Sequence, residues 1–475
     1  MDLFLFLLGF GLGKPNENLN TQNLSIMEQK NANYGLGMTV FGSIFFIFGF
    51  ATTFIITLSG KVKDIFELTE FNAQLLSFAF FITYFFISIP IGLYIKKIGY
   101  KSALITGLLL MATGSFLFFP AAKVPSFPLF LAATFVLASG VVFLQTAANP
   151  YVTALGSEES AGGRLNLVQA LNSIATMVAP WIIAVFIFTG ANDMLTAVEK
   201  AQTVQMPFII IGVIVVLVAI AIFLTKLPDV SGGSTQERKS VWRYPHMLLG
   251  ALGIFFYVGA EVGVGALILN YLKTSVNIDP AIAGKYVAIY WGGAMIGRFF
   301  GSIMLSNITD NTKKYMYVAL VLLLALVSGS FVTDWSWNIG IVFMVVAIVN
   351  FIFMQFGKGN AGRSLAVFAL VAAALALVTS FTTGNVALWA VVSIGMFNSI
   401  MFPNIFTLAV KDLDPGELST ASGIINTLIF GGAIIPLIMG KVADVSGYSL
   451  AFIVPAICYL YIFFYAVKGS KIRRA

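Results

Sequence analysis

The stretch "FFYVGAEVGVGALILNYL", residues 255–272, decides the class of this protein. It is glycine and aliphatic or aromatic residues almost throughout, with one carboxylate, Glu261, in the middle. It ends a longer apolar run, 247–272, and about 20 such residues suffice to cross a bilayer as a helix. The whole chain reads the same way. It is 59% hydrophobic and 10% charged, where soluble domains carry roughly 25% charged residues. Inside lipid every backbone polar group needs an internal partner, which favours helices over open strands. Barrel strands would alternate polar and apolar residues, and these runs do not. The expected fold class is an all-α polytopic membrane protein.

Fourteen apolar segments are read: 36–58, 73–95, 102–122, 127–150, 165–189, 206–225, 247–272, 282–305, 315–333, 339–356, 364–382, 386–410, 420–440 and 448–467. An even number puts both termini on one side. Of the 27 Lys and Arg, seventeen fall in loops or ends on the side of the termini and seven in loops on the other. Basic residues accumulate in cytoplasmic loops, so both termini are expected in the cytoplasm. The net charge of +7 is explained by that bias, and no nucleic-acid partner is expected. The single cysteine, Cys458, allows no internal disulfide, and the single histidine, His246, excludes a histidine-cluster metal site.

Residues 1–32 read as an N-terminal tail. "LFLFLLGFGLG" is too short to span and lacks a basic leader; Met27 would serve as a start, and 1–26 is read as dispensable. The longest polar connection beyond it, 226–246, carries Pro, Gly, Ser and four basic residues. It is expected to be a cytoplasmic linker between a six-helix bundle over 33–225 and a second bundle over 247–475.

The two halves resemble one another. "NPYVTALGSEESAGGRLN" (149–166) leaves segment four, and "FPNIFTLAVKDLDPGELSTASGIIN" (402–426) leaves segment twelve. Each joins Pro with Asn beside it, an aromatic and a Thr to an acidic inner loop and a helix with Asn in its first turns. Gly92 to Pro150 is 58 positions and Gly301 to Pro403 is 102; the excess of 44 fits two extra helices. An additional hairpin is therefore expected at about 313–358. Repeated halves mark secondary transporters, whose sites lie at the midplane between them.

Several of these motifs carry a family resemblance. "FLQTAANPYVTALG" (143–156), "RLNLVQALNS" (164–173), "YVGAEV" (257–262), "GRFFGS" (297–302), "SIMFPNIFTLAVKDL" (399–413) and "GGAIIPLIMGKVAD" (431–444) resemble signatures of the fucose–galactose–glucose permeases of the major facilitator superfamily, with the glucose/galactose or N-acetylglucosamine branch nearest. "GLYIKKIGYK" (92–101) resembles the superfamily's loop after helix two, with Lys96 where many members have Asp. The resemblance implies two six-helix bundles and alternating access. It also implies uptake of a small-molecule sugar driven by a cation gradient, usually of protons, in a bacterial inner membrane. Two departures qualify it. Proton-coupled fucose permeases carry an acid in the first helix and another before "TAANP" in the fourth; here Ile56 and Gln145 stand at those positions.

Candidate site residues follow from the chemistry of a neutral sugar, whose hydroxyls both donate and accept. Side-chain amides match them without a buried charge. Gln145 with Asn149 (i,i+4) and Gln169 with Asn172 (i,i+3) each share a helix face, so these four are candidates for sugar binding; interhelical hydrogen bonding is the competing role. Asn166 reads as structural. In the second half Asn398 and Trp291 are candidates, Trp291 by stacking on a sugar ring. Asn404 flanks Pro403, Asn270 sits near an outer end, and Tyr290 and Asn426 are further possibilities.

Of the 20 acids only Glu261 is mid-helix, fourteen residues after Met247 and thus near the bilayer centre at about 1.5 Å per residue. A charge there is costly unless paired or hydrated. Three roles are open for it: cation or proton coupling, hydrogen bonding to sugar hydroxyls, or a structural neutral acid. Arg298, the one basic residue well inside a segment, is expected in gating or cytoplasmic packing. No cofactor is expected beyond a coupling cation, H⁺ or Na⁺, and a monomer is expected. The alternatives are a sodium-coupled or facilitated carrier, an intramembrane enzyme and a sensor. An enzyme would need paired acids, a nucleophile with a base, or a metal, and a sensor a signalling domain; none is read.

Overall fold

The computed structural model describes residues 21–155, 161–183, 197–225, 243–305, 308, 310–413 and 415–471. Among these every regular element is helical, and thirteen helical spans are long and apolar enough to cross a membrane. With one further helix they make fourteen. In chain order these are α1 Thr21–Phe66, α2 Leu75–Ile95, α3 Lys97–Lys123, α4 Phe127–Ala154, α5 Ala161–Ile183, α6 Gln205–Leu224 and α7 Pro245–Thr274. They continue with α8 Pro280–Met304, α9 Asn311–Val332, α10 Trp337–Phe356, α11 Ala361–Phe381, α12 Gly384–Ala409, α13 Thr420–Ser446 and α14 Tyr448–Gly469.

The helix outside the thirteen is α5. It carries Arg164, Asn166, Gln169 and Asn172, all buried. Such a helix is tolerated in a membrane only where protein surrounds it, and α5 packs between α1 and α8. The halves meet along two seams, α5 on α8 and α2 on α13.

Boundaries differ in places from the sequence expectation. Helix α1 begins at Thr21, so 21–32, expected as tail, is helical. Helix α7 begins at Pro245, so the last two residues of the expected linker are helical; 226–242 lie outside the described residues, as do 1–20 of the expected tail. Proline at a helix start is favoured because its missing N–H would have no intrahelical partner there.

The motif after α2 has a mechanical role. Gly99 takes φ 76°, a backbone region that glycine enters without strain, and kinks the chain in the first turn of α3. Lys101 then places Nζ 2.8 Å from Phe223 O and 2.8 Å from Thr225 O at the end of α6, where a cation complements the helix dipole.

The expected hairpin is α9–α10. Asp310 caps α9, its Oδ1 accepting from Thr312 N at 2.9 Å, and Lys285 of α8 pairs with Asp334 at its turn. The hairpin packs on α8 and presents Leu323, Val327, Val345 and Ile352 outward, as a lipid-facing surface requires.

Candidate functional site

Between the halves lies a cavity of about 650 Å³, counting space open to solvent. α1 contributes Thr52, Thr53 and Ile56; α2 contributes Phe81 and Tyr84; α4 and α5 contribute Gln145, Gln169 and Asn172. From the other half come Tyr257 and Glu261 on α7, Trp291 and Arg298 on α8, and Phe402 on α12. Six of the eight expected residues thus line one cavity: Gln145, Gln169, Asn172, Trp291, Glu261 and Arg298.

Asn149 and Asn398 do not. Both are fully buried, away from the residues lining the cavity. Asn398 Nδ2 donates to Tyr290 Oη at 3.0 Å, and that hydroxyl donates to Glu261 O at 2.9 Å, so Asn398 and Tyr290 support the site from behind. The i,i+4 spacing places Gln145 and Asn149 on one stripe, but that stripe is wider than the cavity. Asn404 Nδ2 bonds Ala361 O at 3.3 Å, Asn426 is buried away from the wall, and Asn270 is half-buried on α7.

The amides on the wall are partly committed. Tyr84 Oη donates to Gln145 Oε1 at 2.7 Å. Asn172 Nδ2 donates to Phe45 O at 2.8 Å, which fixes the amide and turns its oxygen to other donors. Trp291 Nε1, buried, has no hydrogen-bond partner among the described residues. The lining thus combines side-chain amides on α4 and α5 with the aromatic residues Phe81, Trp291 and Phe402.

Arg298, expected in gating or cytoplasmic packing, lies on the cavity wall, 3.5 Å from Glu261 Oε1 through Nη2. Its Nε donates to Ser399 O at 3.1 Å, and Nη1 donates to Gln169 O at 3.3 Å and to Ser173 Oγ. The guanidinium therefore bridges both halves as well as pairing with the acid. Glu261 keeps 13% of its side chain exposed, toward the cavity. Tyr257, one turn earlier on the same face, stands near its charge. Ile56 and Gln145, at the positions of the two acids that the fucose-permease resemblance implied, both line the cavity.

Tyr84, Tyr257, Thr52 and Thr53 were not singled out by sequence. Tyr257 had a signal in its i,i+4 spacing to Glu261, and the Thr pair in its polarity within an apolar span. Phe81 and Phe402 had none, since aromatics also face lipid. Among the described residues no cluster of acids, His and Cys could hold a metal.

The comparisons agree with this architecture. The family model for the Major Facilitator Superfamily matches residues 39–362. A glucose/galactose transporter of Brucella abortus is 40% identical over 467 residues, covering 96% of this chain and 98% of that protein. The L-fucose-proton symporter of Escherichia coli is 30% identical over 487 residues, covering 96% and 99%. A crystal structure of the Escherichia coli fucose:proton symporter superposes with a TM-score of 0.68 at 29% identity, covering 92% of this chain and all of that one. Fourteen long helices among the described residues, packed in two halves, a central cavity lined from both and these matches lead to one conclusion: the chain is a multi-pass membrane protein of the major facilitator superfamily, in its fucose–galactose–glucose permease family.

Proposed function

We propose that this protein takes up a neutral hexose-type sugar by proton symport through alternating access, in a bacterial inner membrane with both termini cytoplasmic. The observation that carries the proposal is the Glu261–Arg298 pair on the wall of the cavity shared by both halves. Relatives named as a glucose/galactose transporter and an L-fucose-proton symporter support the substrate class.

The geometry supports the following roles. Gln169, Asn172 and Trp291 contact the sugar, with Gln145 presented by Tyr84. Glu261 exchanges the proton. When ionised it is held by Arg298; when protonated it no longer holds Arg298 by charge, and the guanidinium keeps its bonds to Gln169 O and Ser173 on the opposite half. Protonation thus changes what ties the halves together, which is what coupling requires. The pair also favours H⁺ over Na⁺. A guanidinium already balances the one acid of the wall, and a metal cation placed beside it would meet like charge.

The test is uptake into vesicles of glucose, galactose, fucose and N-acetylglucosamine under an imposed pH or sodium gradient. Accumulation of at least one sugar under the pH gradient alone supports the reading. Accumulation only under sodium, or mere equilibration, replaces it with a sodium-coupled or facilitated carrier.

A further inference from the structure

Helix α12 is interrupted. It runs over Gly384–Asn398 and resumes over Met401–Ala409. The last carbonyls of a helix lack intrahelical donors, and Met396 O is among them. Ser399 O is deprived for a second reason: the residue four positions on is Pro403, which has no N–H. Each of these two acceptors is taken by a side chain from another element. Arg298 Nε donates to Ser399 O at 3.1 Å, and Asn350 Nδ2 donates to Met396 O at 3.2 Å.

Asn350 belongs to the extra hairpin. It is fully buried in the middle of α10, a helix whose other faces are apolar. Ring contacts of Phe351 with Phe300 at 5.2 Å and of Phe353 with Phe397 at 5.7 Å fix its register against α8 and α12. A buried amide is costly without a partner, and the partner here is the break itself.

We propose that Asn350 is a positioning residue for transport: the hairpin holds the α12 break, and the break holds Arg298 against Glu261. The connection is continuous, from Asn350 to Met396 O, along three residues to Ser399 O, and from there to the guanidinium that pairs with Glu261 and reaches Gln169 in the other half. The hairpin thereby sets how readily the pair rearranges during alternation. This rests on the transport reading above, so the first readout is one that needs no sugar.

The test compares wild type with Asn350→Leu, or with Asn350→Ala where the leucine variant is not recovered in the membrane. Hydrogen–deuterium exchange of the purified protein without sugar is expected to speed up at 396–404, with α1 to α6 unchanged. Counterflow exchange per molecule is expected to slow roughly three- to tenfold, the scale of one lost hydrogen bond, while half-saturation by sugar moves less than about twofold on the same scale. Asn350→Gln, which keeps a donor, recovers part of the rate. Unchanged exchange at 396–404 overturns the proposal whether or not the protein transports sugar. So does a variant that loses stability yet exchanges sugar at the wild-type rate, because Asn350 would then only anchor the hairpin.

Discussion

Arg298 Nη2 lies 3.5 Å from Glu261 Oε1 while Nη1 of the same guanidinium donates to Gln169 O across the seam between the halves. One side chain thus senses the charge of the acid and the separation of the bundles.

The pair is expected to be energetically coupled. Removing one partner of a buried ion pair costs about 3–5 kcal/mol, because the other is left uncompensated. Arg298→Gln should therefore lower the melting temperature of the detergent-solubilised protein by several degrees. The double variant Glu261→Gln/Arg298→Gln should regain part of that loss. Losses that simply add would show that the two residues act independently.

Asn172 depends on a glycine opposite it. A Cβ at Gly49 would lie 2.2 Å from Asn172 Nδ2 and 2.8 Å from Asn172 O, so Gly49→Ala must push the amide off its bond to Phe45 O and move α5 away from α1. With one oriented hydrogen bond lost, worth about 1 kcal/mol, the sugar dissociation constant is expected to rise roughly five- to tenfold. Equilibrium binding in detergent measures this. An unchanged constant would remove Asn172 from the binding set.

Trp291 is seated in the same way. A Cβ at Gly265 would come within 2.6 Å of Trp291 Cζ2. Gly265→Ala should tilt the indole away from its position on the wall and raise the half-saturation concentration for uptake, and Trp291→Leu should reproduce that rise by removing the aromatic face. Intrinsic fluorescence reports the altered Trp environment in the alanine variant. Normal uptake with shifted fluorescence would mean that the indole does not touch the sugar.

Much of this was legible in the sequence, and the illegible part has a common cause. Span count and the isolated acid follow from hydropathy and charge, which act along one segment at a time. The same local spacing brought Gln169 and Asn172 to the cavity. What it could not supply was the register between neighbouring helices. Arg298 sits only six residues before the end of α8 at Met304, which suggested the cytoplasmic face. The side chain instead reaches back into the cavity, toward Ser399 and Glu261. Asn398 was a candidate by residue type, yet its amide donates to Tyr290 behind the wall. Asn350 lay in the segment read as an added hairpin, where nothing local connects it to the site.

Sugar-dependent proton movement tests the central claim most directly. Vesicles containing the wild-type protein and a trapped pH-sensitive dye should report proton uptake when sugar is added, and should accumulate sugar under an imposed pH gradient. Glu261→Gln should abolish both while retaining counterflow exchange, since a fixed neutral side chain still permits the loaded carrier to alternate. A Glu261→Gln protein that still accumulates sugar against its gradient, with proton uptake intact, would contradict the account.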